Sequence, residues 1–144
     1  MYEVKVEGID ELKAKLRKLS DYLKPEALEK ILEAEAQSFA AKLLPRTPQG
    51  PTGNLRNGVR AWVPKRNTRQ KDAMAIAGVH CSVAPHAWIV EYGTVARYTK
   101  GGAYRGVMPP QQYFTPLKEQ EEPGMLTRII DKVLDHILKE WNGR

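Results

Sequence analysis

A stretch rich in proline and glycine divides this chain into a helical first third and a β-rich middle. Residues 45–54 hold three of the ten prolines and two glycines. Proline fixes φ and lacks the backbone N–H, and glycine adopts conformations that other residues avoid, so the stretch predicts a loop of stiff, defined turns. We therefore expect the preceding helix to stop at Pro45 and a different kind of structure to follow.

Two helices are predicted before this loop. Residues 2–7 alternate in polarity and predict a short strand ahead of them. Residues 10–23 carry apolar side chains at spacings of three and four, which predicts an amphipathic helix. Pro25 suits the first turn of a second helix that runs to about Leu44. Over residues 10–44 the two helices are joined by one or two residues and are expected to form a hairpin or a bent pair.

The middle of the chain, residues 55–93, is predicted to be β-rich. Apolar and polar residues alternate loosely over Leu55–Val63 and Ala73–Val83, which predicts two strands. The polar and basic stretch between them, Pro64–Asp72, is expected to form the tip of a hairpin. Pro85–Gly93 predicts a short helix or strand that ends at Gly93.

A long loop and an amphipathic helix complete the predicted fold. Residues 94–110 show no apolar period, so we expect a loop that is mobile until a partner orders it. Gln111–Gln120 resumes compact structure, and Pro123 with Gly124 is expected to break it. Residues 125–141 form the last predicted helix. Its apolar stripe comprises Leu126, Ile129, Ile130, Val133, Ile137, Leu138 and Trp141.

Length and element order predict one α+β domain over residues 1–144. A small antiparallel or mixed sheet would pack with an N-terminal helix pair and a C-terminal helix, with long loops projecting. No apolar run approaches the roughly 20 residues that cross a bilayer, and no signal-peptide core opens the chain, so we expect folding in the cytosol and no membrane partner. The net charge is +6, with the excess between residues 46 and 105. Nucleic acid, an acidic protein or plain solvation would each fit that excess.

The residue types that most often carry catalysis form no recognisable pattern. His80 and Cys81 are neighbours, which in a strand sends their side chains to opposite faces, so we expect no Cys–His pair and assign Cys81 to the core. His136 is expected on the solvated side of the last helix. Neither a metal-ligand spacing nor a phosphate-binding loop is present in the sequence. The prediction is a protein that is not an enzyme and holds no metal and no cofactor.

Basic and aromatic residues are interleaved in the two predicted loops. The candidates for an interface are Arg66, Arg69, Arg97, Tyr98, Tyr104 and Arg105. Arginine and tyrosine are enriched at protein interfaces, but the same mixture also binds single-stranded nucleic acid. The sequence lacks a helix-turn-helix, an RNP-like motif and a zinc finger that would organise specific binding.

Three motifs, taken in order, resemble a known family. Val4–Leu12 opens a lysine- and leucine-rich helix, Pro51–Arg56 follows the second helix, and Val90–Thr94 reads Val-Glu-Tyr-Gly-Thr. A proline-containing entry to the last helix comes after a variable loop. Over about residues 4–140 this order resembles the lambdoid phage gene-product-ten-like family of tail-completion (neck, or minor tail) proteins. That family shows Pro-Phe-Leu-Arg-Pro-Ala before the last helix, where this chain has Gln112–Leu117 and lacks the arginine.

The resemblance implies a structural component of a tailed-phage or prophage virion, made in the host bacterial cytoplasm and placed in the tail or neck. It implies a head–tail joining protein that acts as a subunit of a homo-oligomeric ring, six-fold in expectation. Implied partners are neighbouring neck and tail proteins, with non-specific contact to DNA in the lumen. The alternative is a basic nucleic-acid-binding protein of phage origin.

The motif residues also have physical interpretations. They are Thr52, Gly53, Asn54, Leu55, Arg56, Glu91, Tyr92, Gly93 and Pro116. Gly53 would permit a sharp turn into a strand through a positive φ. Glu91 is expected to form an ion pair with Arg56. Such residues would act as determinants of the fold.

Overall fold

The structure, a computed structural model, describes residues 24–65 and 72–142. The elements in chain order are α1 (Pro25–Arg46), α2 (Asn54–Asn57), β1 (Val59–Trp62), β2 (Ile76–Val79), α3 (Ala87–Tyr92), β3 (Arg97–Tyr98), β4 (Tyr104–Gly106) and α4 (Thr115–Asn142). The predicted strand at residues 2–7, the predicted helix at residues 10–23, and Arg66 and Arg69 in the hairpin tip lie outside the described residues.

The two long helices, α1 and α4, pack antiparallel and are joined by ion pairs. Lys42 lies 2.6 Å from Glu121 near one end of the pair. About two turns away along α1, the buried Glu35 accepts hydrogen bonds from Arg128 at 3.0 Å and from Lys132 at 2.5 Å. Burial alone would raise the pKa of Glu35, but the hydrogen bonds and charges of Lys132 and Arg128 outweigh it and hold the pKa below the ordinary 4.5.

The β structure of the described residues is two separate antiparallel hairpins. Strands β1 and β2 pair from Val59 with Val79 to Trp62 with Ile76. This pairing confirms the predicted hairpin. Strands β3 and β4 pair with each other and form the second small sheet. The α+β class is therefore confirmed, and the single sheet of the prediction is replaced by two sheets of two strands each.

The core lies where α1, α2, α3 and the start of α4 meet. Its buried members are Phe39, Leu43, Leu55, Ala84, Val90, Tyr113 and Leu117. Phe39 and Phe114 meet edge to face with ring centroids 5.6 Å apart, a geometry that aromatic pairs favour. These contacts bring together segments that are far apart in sequence, and Val90 and Tyr113 fix both ends of the segment 94–110 to the core.

Helix α1 does not stop at Pro45 as predicted. It continues to Arg46, and Pro45 lies inside its last turn. The helix end is closed by Thr47, whose N–H and side-chain hydroxyl both donate to the carbonyl of Leu43, at 3.0 and 2.9 Å. A proline disturbs only the turn that precedes it, and Thr47 supplies the bonds that finish that turn.

The strands are shorter than the alternation of polarity indicated. Residues 55–57, predicted as the start of a strand, belong to the helical turn α2, and β1 begins only at Val59. The turn directs Leu55 into the core, where it is 4% exposed. Likewise β2 ends at Val79, and residues 81–83 form a turn instead of continuing the strand.

Helix α4 runs without a break through Pro123 and Gly124, where the sequence predicted an interruption. Glu121 before the proline is bound to Lys42, and Arg128 after it is bound to Glu35. Both sides of the proline are therefore held against α1, and this packing offsets the one hydrogen bond that Pro123 removes. Pro116 lies in the first turn, which is a position that favours proline. In the described part of the chain, no helix combines the length and apolar character that a membrane span requires.

Candidate assembly surface

The Thr-Gly-Asn-Leu-Arg motif closes the loop that follows α1. Gly53 has φ +65°, as predicted, and leads into the helical turn α2. The guanidinium of Arg56 donates to the carbonyl of Thr47 at 2.8 Å and to the side-chain oxygen of Gln49 at 3.2 Å. Arg56 therefore binds its own loop, and its predicted ion pair with Glu91 is wrong.

Glu91 instead binds the first turn of α4. Its side chain is 4% exposed, and its two carboxylate oxygens accept the backbone N–H groups of Phe114 at 2.9 Å and Thr115 at 2.8 Å. Burial alone would raise the pKa of Glu91, but hydrogen bonds from Thr115 and Phe114 stabilise the charged form and lower the pKa below 4.5. Glu91 thus satisfies N–H groups at a helix start, where the helix dipole also favours negative charge.

Gly93 lies at the base of a projecting segment, residues 94–110, which we call the arm. Its φ of +73° and ψ of −170° belong to a region open essentially to glycine alone. A Cβ at this position would lie 2.5 Å from the carbonyl oxygen of Met108 and 2.8 Å from the nitrogen of Pro110. Thr94 and Met108 exchange two hydrogen bonds, at 2.9 and 3.1 Å, and so join the two sides of the arm.

The arm contains a short β-hairpin, formed by β3 and β4, where the sequence predicted only a long loop. Thr99 organises its turn: its N–H donates to the carbonyl of Ala103, and its hydroxyl accepts the N–H of the same residue. Gly102 takes φ +83° there. A local turn of this kind needs no apolar period, and for that reason the alternation of polarity did not reveal it.

The hairpin gathers the four described interface candidates at one place. Arg97 and Arg105 are exposed on its two strands. Tyr98 and Tyr104 are a cross-strand pair, 63% and 61% exposed, with ring centroids 5.5 Å apart. Lys100 is exposed in the turn, and the sequence has no carboxylate between residues 92 and 118. The arm is therefore cationic and aromatic, with its charges turned to solvent.

Helix α4 presents a second exposed surface, which we call the outer face. It consists of Leu126, Ile130, Leu134, Leu138 and Trp141, each at least 40% exposed. The sequence predicted four of these five positions, all except Leu134, as part of a buried stripe. In the structure the stripe is split, because Ile129, Val133 and Ile137 are half-buried and the rest face outwards. The apolar residues of α4 cover a wider part of its circumference than one partner helix can bury. That width is the signal in the sequence that could have revealed the second surface.

Charge is segregated around α4. Arg128 and Lys132 bind Glu35 of α1. The other two cations of the described helix, Lys118 and Lys139, line clefts shared with α1 residues. Carboxylates occur on both sides, and five of them, Glu119, Glu122, Asp131, Asp135 and Glu140, are exposed and make no ion pair within residues 24–65 and 72–142. The outer face is thus apolar with an acidic border.

The histidines and the cysteine are not assembled into a reactive group. His80 packs edge-on against Trp62, with ring centroids 5.1 Å apart, and its Nδ1 lies 2.7 Å from the Ser82 hydroxyl within one exposed turn. Cys81 is exposed in that turn, so its predicted place in the core is wrong. His136 is half-buried in a cleft toward α1 instead of facing solvent as predicted. Among the described residues no cluster of His, Cys, Asp or Glu could hold a metal.

A cleft of about 330 Å³ lies between α1, β2 and α4. Its lining is mainly Leu32, Ala36, Phe39, Met125 and Ile129, and its one buried carboxylate belongs to Glu35. That carboxylate is already bound to cations of α4. The cleft offers packing surface and no group positioned for acid–base or nucleophilic chemistry.

Exposed aromatic residues also lie on α3. Trp88 and Tyr92 are 64% and 68% exposed and are one helical turn apart. Tyr92 belongs to the Val-Glu-Tyr-Gly-Thr motif, in which Val90, Glu91 and Gly93 are buried. The motif therefore turns three residues toward the core and one aromatic ring toward solvent.

Comparison with known proteins identifies a family for this chain. No curated protein and no solved structure is significantly similar to it. The family model of the bacteriophage HK97 gp10-like tail component matches residues 10–93. The match covers more than half of the 144 residues and includes the turn at Gly53 and the residues Glu91 and Gly93. The chain belongs to the HK97 gp10-like family of bacteriophage tail components.

Proposed function

We propose that the chain is a tail-completion subunit that joins head and tail by forming a ring with copies of itself. Membership in a family of phage tail components gives the structural class. The observation that carries the finer proposal is the pair of unlike exposed surfaces, the arm and the outer face of α4. A ring built by head-to-tail contacts needs two different surfaces on each subunit.

The polar groups of the interior support an assembly role over catalysis. Glu35, Glu91 and Arg56 are each bound to groups of the same chain, and their bonds hold helices and loops in place. The arginine and tyrosine side chains of the arm are exposed, and within residues 24–65 and 72–142 they have no comparable polar partners. Side chains of this type contribute strongly when a protein interface buries them.

The proposal places the subunit in the virion, at the tail or neck, with neck and tail proteins as further neighbours. The six-fold symmetry expected from the sequence resemblance belongs to this proposal. DNA would pass through the lumen of such a ring, and the net charge of +6 allows loose contact with it.

The test is a phage or inducible prophage from which this gene is deleted. We expect filled heads and separate or aberrant tails in electron micrographs, and few infectious particles. Supplying the intact chain in trans should restore joined particles. Normal particle yield and morphology without the gene would contradict the proposal.

A nucleic-acid-binding role is the second candidate, and the arm is what favours it. Arg97, Lys100 and Arg105 are exposed near two tyrosines whose rings are tilted to each other, and such a mixture of cations and aromatic rings suits a single strand. Binding through these three cations predicts a salt slope of about −2 for single strands. Titration of the purified chain with labelled oligonucleotides at several salt concentrations separates the two functions, because the ring proposal needs no binding to free DNA.

A further inference from the structure

We infer that the arm of one subunit docks on the outer face of α4 in a second copy of this chain. This inference rests on the proposed ring function and names the two surfaces that form its contact. The outer face is apolar with an acidic border, and the arm is aromatic and cationic, so the two surfaces are complementary in charge.

A partner that binds the outer face needs apolar area at the centre of its surface and positive charge at the edge. Leu126, Ile130, Leu134 and Leu138 recur every four residues and form one ridge about 18 Å long at 1.5 Å per residue. Exposed apolar area of this extent marks an interaction site on a soluble protein. The exposed carboxylates beside the ridge form no ion pair with any cation of the described residues, and the described cations of α4 lie on the side toward α1.

The arm supplies those properties. Tyr98 and Tyr104 form one exposed aromatic surface, and Val95 and Val107 at the foot of the hairpin are 85% and 54% exposed. The arm's exposed cations stand at its strands and turn, and no carboxylate lies in its sequence. Tyrosine rings would cover the leucine ridge while arginine and lysine meet its acidic border.

The occupant is a second copy because the two surfaces are both left exposed within one chain. Tyr98 and Leu134 are 63% and 52% exposed in the same described structure, so the arm does not cover the outer face of its own subunit. The contact joins unlike surfaces, so each subunit can give its arm to one neighbour and its outer face to another. Repetition of that contact closes a ring if the rotation allows closure.

The test is a mixing experiment with two full-length variants measured by sedimentation velocity. The arm variant carries Arg97→Ser, Tyr104→Ser and Arg105→Ser, and the outer-face variant carries Leu134→Lys and Leu138→Lys. We expect wild type to associate at about 0.1 M NaCl and to dissociate toward about 1 M NaCl, where the screening length falls from about 10 Å to about 3 Å. Each variant alone should associate at least about tenfold more weakly.

A one-to-one mixture of the two variants is the decisive sample. The intact arm of the outer-face variant can dock on the intact outer face of the arm variant, so the mixture should form heterodimers and stop there. Lys30 and Gln37 are exposed on α1, and Lys30→Ser and Gln37→Lys serve as controls that change surface charge elsewhere and should associate like wild type.

Each other outcome overturns the inference. Variants that associate like wild type, or a mixture without heterodimer, exclude an arm-to-outer-face contact. A wild-type chain that stays monomeric up to about 1 mM excludes useful self-contact. An outer-face variant that melts several degrees lower yet associates normally would show that the same chain covers the ridge. If such a chain still restores head–tail joining in the deletion strain, the proposed function stands and only this contact is lost.

Discussion

The base of the arm and the arm itself differ in how their polar groups are used. At the base, Glu91 is 4% exposed and accepts two backbone N–H groups, and the backbone of Met108 and Pro110 leaves no room for a Cβ at Gly93. In the arm, Tyr98 and Tyr104 are more than 60% exposed, and the arginines beside them face solvent. The base is therefore a determinant of the fold, whereas the arm is available for a partner. Substitutions should separate the two regions by stability.

The largest loss of stability is expected from Gly93→Ala. The new Cβ would overlap the carbonyl oxygen of Met108 and would occupy a backbone conformation that alanine avoids. We expect the free energy of unfolding to fall by more than about 3 kcal/mol. Urea denaturation measures this, with Gly50→Ala as the matched control, because a Cβ at Gly50 meets nothing within 4 Å. Equal stability of the two variants would remove the distinction between base and arm.

The next effect is expected from Glu91→Gln. The amide places a donor where the carboxylate accepts from Phe114 or Thr115, so one buried N–H loses its partner. The expected loss at neutral pH is about 2 kcal/mol. Chemical denaturation followed by circular dichroism measures it, and a loss below a few tenths would show that the start of α4 does not depend on this carboxylate.

The Glu91 effect should depend on pH in one direction. The folded-state pKa lies below the ordinary 4.5, so the unfolded chain binds the proton first as the pH falls. The stability that Glu91 contributes is complete above about pH 5 and is lost as the pH falls through its folded pKa. The difference between wild type and Glu91→Gln should therefore shrink between about pH 5 and about pH 3. A constant difference across that window would contradict a lowered pKa.

Glu35→Gln should have a smaller effect, although Glu35 is as buried as Glu91. Its partners Arg128 and Lys132 keep side-chain exposures of 41% and 47%, so water solvates them when the carboxylate is removed. We expect a loss of about 1 kcal/mol, which is less than for a buried pair whose remaining charge is enclosed. Thermal unfolding of the two Glu→Gln variants side by side measures the order, and a larger loss for Glu35→Gln would reverse the ranking.

The smallest effect on stability is expected in the arm. Arg105→Ser removes an exposed side chain and should change the free energy of unfolding by less than about 0.5 kcal/mol. The same substitution should lower the yield of joined particles when the variant replaces wild type in the deletion strain. If Arg105→Ser failed to fold, the arm would be needed for the stability of the fold, as the base is.

The sequence predicted those features of the fold that depend on the conformational preference of a single residue. The positive φ of Gly53, the short segment closed by Gly93 and the start of α1 at Pro25 follow from the chemistry of glycine and proline alone. The pairing of β1 with β2 follows from two apolar segments flanking a polar tip. In each case the information is local, so one sequence was sufficient.

What the sequence missed depends on contacts between distant segments. Glu91 was expected to bind an arginine, and its partners are backbone N–H groups, which every residue except proline carries and no pattern reveals. Pro123 was expected to end a helix, but ion pairs to α1 on both of its sides keep the helix continuous. The outer face of α4 was counted as core because periodicity gives the width of a stripe and not the number of partners that cover it.

The segregation of charge around α4 also governs how quickly two molecules can meet. Its described cations are turned toward α1, so an approaching molecule meets exposed carboxylates on one side and the arm's unopposed cations on another. Such a field orients collisions and raises association rates at low ionic strength, with little influence on how slowly a formed contact separates. A rise in salt should therefore delay the growth of an assembly more than it shortens the lifetime of a completed one.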